Sequence, residues 1–233
     1  MENKRIVEIC CGSYSDALSS FNGGAKRIEL NSALHLGGLT PSLGSLRLTK
    51  ENTDFETMLY DAKKLMENKS DGIAFGCLTP DFSIDIEQTK KMVDIIKHYN
   101  GEAVFHRAFD CTKDPVKSIE LLIDLGVDRI LTSGQQPKAI EGIALIKKLQ
   151  DKYGDKIQIL AGSGINKDNA LTILETTGIN QVHSSCKSWK EDNTTINPNN
   201  EKLNYSYTSS PHEKDYDIVS EDLVRSLTSL VVQ

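Results

Sequence analysis

Several scarcities in this chain each exclude a class of protein. No apolar run approaches the roughly 20 residues that a membrane-spanning helix requires. The opening MENKRIVEICC is too polar, and too soon strand-like, for a secretory leader, so a cytoplasmic protein without a membrane partner is expected. Basic residues are the minority: 27 Lys and Arg against 33 Asp and Glu leave a net charge of −6, and no basic run offsets it. A surface built for phosphate backbones needs the opposite balance, so no nucleic-acid partner is expected. The five cysteines, Cys10, Cys11, Cys77, Cys111 and Cys186, are odd in number and form no CxxC pair. Neither a disulfide framework nor a zinc knuckle is indicated. A GxGxxG turn is missing as well, since CCGSYSDA offers one glycine after the first strand-like run, which argues against an open dinucleotide-binding sheet.

What is present is an alternation. Apolar runs that read as strands are RIVEICC (5–11), KRIEL (26–30), DGIAFGCL (71–78), EAVFHRA (102–108), DRILTS (128–133), KIQILAGS (156–163) and NQVHSSC (180–186). Between them lie stretches at helical spacing. DPVKSIELLIDLG has Val116, Ile119, Leu122 and Ile123 on one face, Asp114 to cap and Pro115 in the first turn. KAIEGIALIKKLQDKYG repeats the pattern with Ile140, Ile143, Leu145, Ile146 and Leu149. Strand and helix at this rhythm predict a parallel sheet covered by helices. The late glycines of LAGSGIN suit a TIM-type (β/α) barrel, whose anion sites form after its last strands. With 233 residues and 38% hydrophobic content, one domain spanning 1–233 is expected.

The strand count stops at seven, one short of a full barrel. Between Ser42 and Lys69 two helix-like pieces, SLGSLRLT and TDFETMLYDAKKLMENK, follow each other directly, and Thr53 with Glu56 forms the capping-box pattern of a new helix. The third strand is therefore the one lacking, and 26–30 and 71–78 are expected to be neighbours or to flank an unfilled slot. Residues 187–217 are rich in Asn, Ser, Thr and Lys with little periodicity, which predicts a polar flap, and 220–231 returns to helical spacing as a closing helix.

In such a barrel the chemistry sits where strands end. Those ends bring up Glu8, Cys10 and Cys11; Glu29; His106, Arg107 and Asp110; Ser133; Gly162, Ser163 and Gly164; and His183, Ser184 and Cys186. Three readings of this set stand side by side. Thiolates favour Cu(I), and closure of the barrel would bring Cys10 or Cys11 towards Cys186; against this, a free cysteine in a strand commonly serves as a small buried hydrophobe. An enzyme acting on a small phosphorylated or carboxylated molecule would use Arg107 as a bidentate anion ligand. Ser133, Ser184 and the backbone around Gly162, Ser163 and Gly164 would complete the cradle. Glu8, Glu29, His106, Asp110 or His183 would supply acid and base. The third reading is a ligand-binding regulatory barrel without catalysis.

The blocks EICCGS, GGAKRIELNSALHLGGLTPS, DGIAFGCLTPD, FHRAFD, DRILTSGQ, LAGSGIN and QVHSS, in this order from about residue 5 to 186, resemble the CutC family, named for copper homeostasis. The resemblance implies a TIM-type barrel, a cytoplasmic homo-oligomer (dimer or tetramer) and a role in copper handling. Glu8, Cys10, Arg27, Glu29, His106, Arg107, Asp110, Ser133 and His183 fall on the family's motifs. Two departures matter. Where many members read RIELC, this chain has RIELN, so Asn31 replaces a thiol proposed for copper, and Cys11 or Cys186 would have to substitute. The family's third strand, ending Arg-Pro-Arg-Gly-Gly-Asp-Phe, belongs near Glu51 to Thr53, and nothing there matches.

Overall fold

The structure, a computed structural model, describes residues 8–11, 27–30, 54–184, 187–192, 194, 196–197, 199–204, 211–219 and 221–231. Two compact units are present: residues 1–64 with 189–217, and residues 65–188 with 218–233.

The first unit holds the parallel pair β1 (Glu8–Cys11) and β2 (Arg27–Leu30), with Glu8 opposite Arg27 and Cys10 opposite Glu29. Helix α1 (Asp54–Glu67) begins in this unit and ends in the second, and it is the helix expected from TDFETMLYDAKKLMENK. The capping residue Thr53, SLGSLRLT and Asn31 lie outside the described residues.

The second unit is a five-stranded parallel sheet in chain order: β3 (Gly72–Phe75), β4 (Glu102–Phe105), β5 (Arg129–Thr132), β6 (Gln158–Gly162) and β7 (Val182–His183). All seven expected strands are thus found, each parallel to its neighbours. Between them run α2 (Ile86–His98), α3 (Pro115–Asp124), α4 (Ile143–Tyr153) and α5 (Ala170–Thr177). Alternation along the strands decides which residues face the helices. Phe75, Ala103, Phe105, Ile130, Ile159 and Ala161 are buried, together with Met92 and Ile96 of α2, Ile119 and Leu122 of α3, Ile146 and Leu149 of α4, and Ile173 of α5. Phe75 and Phe105, opposite each other in the ladder, meet edge to face at 5.8 Å. Burial of each large apolar side chain among these contributes about 1.5–3 kcal/mol. The alternate positions are polar at the amino end: Arg129 donates to Gln158 (3.0 Å) and to Glu102 (2.9 Å), and Gln181 donates to Gln158 (3.0 Å).

Local signals explain the boundaries. Asp114 accepts from the amides of Val116 and Lys117 at 3.2 and 3.1 Å, with Pro115 in the first turn, as the sequence predicts. The helix expected from Lys138 onward starts only at Ile143. The reason is a backbone contact: a Cβ on Gly142 would run into the Ser133 carbonyl, and one on Gly134, at φ +69°, into the Gly142 carbonyl. The strand expected to reach Ala108 ends at Phe105, and Arg107–Cys111 form a 3-10 turn instead.

The 187–217 segment is more regular than its composition predicts. It contains β8 (Lys187–Glu191), β9 (Ile196–Asn197), β10 (Asn200–Asn204) and the start of β11 (Asp215–Val219); β9 pairs with β10 antiparallel and β8 with β11. Trp189 stacks on His212 at 4.1 Å, and His212 Nδ1 lies 2.6 Å from the Asp215 carboxylate. Helix α6 (Glu221–Val231) follows and lies against α5. No helix among the described residues is long and apolar enough to cross a membrane.

Gly142→Ala is expected to destabilise the protein by about 1–3 kcal/mol, because the loop that crosses Gly134 must shift. Urea denaturation measures this, and a loss below about 0.5 kcal/mol would mean the loop yields freely.

Candidate functional site

The described polar residues converge where β4 and β5 end. Because the chain after Phe105 coils into a 3-10 turn, Arg107 and Asp110 sit three residues apart on one side of it, and Arg107 Nε donates to Asp110 Oδ2 at 2.8 Å. Asp110 then reaches across to the β5 end. Its carboxylate accepts from Thr132 Oγ1 at 2.5 Å, from the Ser133 amide at 3.0 Å, from Ser133 Oγ at 2.9 Å and from the Gln135 amide at 3.1 Å. Gln135 adopts φ +57°, and its side chain donates to the Thr112 carbonyl at 2.6 Å.

Burial alone would raise the Asp110 carboxyl. The bonds from Thr132, Arg107, Ser133 and Gln135 outweigh it and hold the group below the usual carboxylate range. With 8% of its side chain exposed and its lone pairs taken, Asp110 is an anchor and not a proton acceptor.

Arg107 is the part of this cluster that reaches solvent, with 43% of its side chain exposed. Nε and Nη2 form one edge of a guanidinium, and that edge is engaged by Asp110 and by Ser133 Oγ, the latter at 2.9 Å. The other edge, Nη1 with the second Nη2 hydrogen, donates to no group among the described residues. A guanidinium held by one edge presents the other as a preoriented fork for a carboxylate or phosphate.

His106 stands at the turn's start. Its Nδ1 accepts from the Ala108 amide at 3.1 Å, so the ring carries its proton on Nε2 and offers a donor there. The ring lies against Gly76 at the end of β3, where a Cβ would stand 2.7 Å from Nδ1. His106 and Arg107 are thus neighbours with different duties, and the two are not hydrogen-bonded to each other.

The β6 end is built differently. Ser163 and Gly164 both have positive φ, +85° and +69°, and Ser163 Oγ donates to the Pro137 carbonyl at 2.8 Å. Asn169 closes the loop, donating to the Gly164 carbonyl at 2.8 Å and accepting from the Asn166 amide at 2.9 Å. Gly162 pairs in register with the exposed His183, and Ser184 Oγ donates to the Ile165 carbonyl at 2.7 Å. That bond occupies the Ser184 proton within the fold.

Glu8, Cys10 and Cys11 lie on β1 and Glu29 on β2, where the ladder sets Cys10 opposite Glu29; Cys186 lies outside the described residues. Among the described residues no three His, Cys, Asp or Glu side chains gather as a metal site. Cys77 is buried, and burial, with the Asp85 charge adding to it, pushes its thiol up to about 11, so it carries no thiolate at neutral pH. Cys111 is exposed. Sequence reasoning missed Gln135 and the 3-10 turn; the run of polar residues straight after ILTS was the available signal.

A model of the CutC family matches residues 5–53 and 47–188. The chain belongs to the CutC family. A CutC family protein of Treponema denticola is 42% identical over 219 residues, covering 85% of this chain and 88% of the relative. The human copper homeostasis protein cutC homolog is 34% identical over 209 residues, covering 81% and 76%. Among solved structures, the putative copper homeostasis protein CutC of Streptococcus agalactiae superposes with a TM-score of 0.54 at 29% identity, over 77% of this chain and 98% of that one. With the parallel ladders above, this similarity supports an α/β fold of barrel type. The two pieces of the CutC match meet at 47–53, where the strand and helix alternation loses a strand.

Asp110→Asn removes the anchor's charge. The folded carboxyl lies below its ordinary value of about 3.9, so its contribution is complete above that pH and lost on acidification towards the folded value. Wild type is expected to exceed the variant by about 1–3 kcal/mol at pH 7, with the gap narrowing below about pH 4. Urea denaturation at pH 7 and pH 3 tests this, and an unchanged gap would contradict the assignment.

Proposed function

We propose that this CutC family member takes part in copper homeostasis in the cytoplasm, as a single-domain homo-oligomer, and that it does so by binding a small anionic molecule where β4 and β5 end. The observation that carries this is the Arg107 guanidinium, anchored along one edge by Asp110 and Ser133 and exposed along the other. The names of the human and mouse relatives supply the copper role. His106, with a donor at Nε2, is the candidate proton donor beside the anion, and His183 is a candidate acid or base group. Ser133 sets the fork, and Ser163 and Gly164 line the neighbouring strand end.

Heat protection by small acids and sugar phosphates tests the anion site: a ligand at about 100 times its dissociation constant adds roughly 2.7 kcal/mol. The protection should vanish in Arg107→Ala, and a ligand that protects this variant equally well would remove the assignment.

A direct Cu(I) site is a second reading, favoured by the thiols Cys10 and Cys11 at the end of β1, of which strand alternation lets one face either side. Anaerobic Cu(I) titration should give tighter binding by wild type than by the Cys10→Ser, Cys11→Ser double variant, and equal binding would dismiss this reading.

A further inference from the structure

The Arg107 site has one guanidinium edge engaged and the other open. Resting on the anion-site reading above, we infer that its ligand is a small carboxylate and not a phosphate, taken end-on by Nη1 and Nη2 of Arg107, with Asp110 as the positioning residue that makes this the available edge.

The first argument is the edge itself. A guanidinium has five N–H donors in a plane. Nε–H and one Nη2–H are used inside the protein, on Asp110 and Ser133 Oγ. The three that remain lie on Nη1 and on the far side of Nη2. The parallel pair among them matches the two oxygens of one carboxylate in the same plane. Ser133 Oγ has a single hydrogen and two acceptors within reach, Asp110 Oδ2 at 2.9 Å and the Gln136 carbonyl at 2.5 Å. Donating to either, it keeps a lone pair for Nη2, so the fork is fixed whichever way the hydroxyl turns.

The second argument is the sum of charges. Asp110 is held ionised by its hydrogen bonds, so Arg107 and Asp110 together carry no net charge. The other residues hydrogen-bonded into the cluster, Thr112, Thr132, Ser133, Gln135 and Gln136, add no second cation. A carboxylate brings one negative charge to this neutral pair, whereas a phosphate monoester at neutral pH brings nearly two. No cation hydrogen-bonded into the cluster stands opposite the second charge. At 43% exposure the fork is open enough for a ligand to enter.

The test is thermal unfolding and titration calorimetry of the full chain at pH 7.5 and matched ionic strength, with the monocarboxylates lactate and acetate and with inorganic phosphate as probes. Lactate or acetate should raise the unfolding temperature and give a measurable dissociation constant, and phosphate should do neither. Arg107→Lys keeps the charge without the planar fork, and should weaken carboxylate binding about tenfold or more while leaving the unliganded unfolding temperature close to wild type. Asp110→Asn should weaken binding as well, through release of the fork.

Phosphate binding that Arg107→Ala abolishes, without carboxylate binding, would overturn the carboxylate assignment and leave the anion site standing. Protection by none of the probes, or protection that survives Arg107→Ala, would overturn both. Wild-type carboxylate affinity in Arg107→Lys would overturn the end-on geometry.

Discussion

A single carboxylate, that of Asp110, joins the carboxyl ends of β4 and β5. It takes an N–H from the arginine three residues before it, then the hydroxyls of Thr132 and Ser133 and the amides of Ser133 and Gln135. Removing a charge from water costs several kcal/mol unless its lone pairs are matched, and here they are matched by groups on two different strand ends. The 3-10 turn after β4, the left-handed Gln135 and the side-on grip on Arg107 follow from satisfying that one group. Gly134 and Gly142 do complementary work below it, since only backbone without a Cβ lets the loop after β5 pass close enough for its amides to reach Asp110.

The frame was legible in the sequence because parallel strands buried on the helix side read as short apolar runs and the helices between them as amphipathic stretches. Ile119 and Leu122 point to the core as their spacing predicts, and Asp114 caps where a cap was expected. The site was legible as a list, with Arg107, Asp110 and Ser133 recognised, but not as a geometry. A strand continued through Ala108 would have sent His106 and Arg107 to opposite faces. What bends the chain instead is the demand of Asp110 for donors on β5, a contact between residues more than twenty positions apart that no local period encodes. His106 fits the same account: its Nδ1 is spent on the Ala108 amide, a bond that exists only in the turn.

The 187–217 segment shows the opposite failure. Its composition is polar and lacks an alternating pattern, and yet β9 pairs antiparallel with β10 and Trp189 stacks on His212. Hydrophobic periodicity detects elements that bury a face, and it is silent on elements held by pairing and one aromatic stack.

The interruption near 47–53 bears on the chemistry more than on the frame. The resemblance to the family implies a third strand ending in two arginines, which nothing near Glu51 to Thr53 matches, and a thiol where this chain has Asn31. Each change subtracts from one kind of ligand: the arginines from a highly charged anion, the thiol from a soft metal. Arg107, already balanced by Asp110, is then the described cation held in place at the strand ends, and its charge is committed before any ligand arrives. Selectivity at such a site must come from shape and hydrogen-bond direction more than from attraction. A planar donor pair held rigidly by one carboxylate and one hydroxyl supplies both, because it loses little side-chain freedom when a ligand binds.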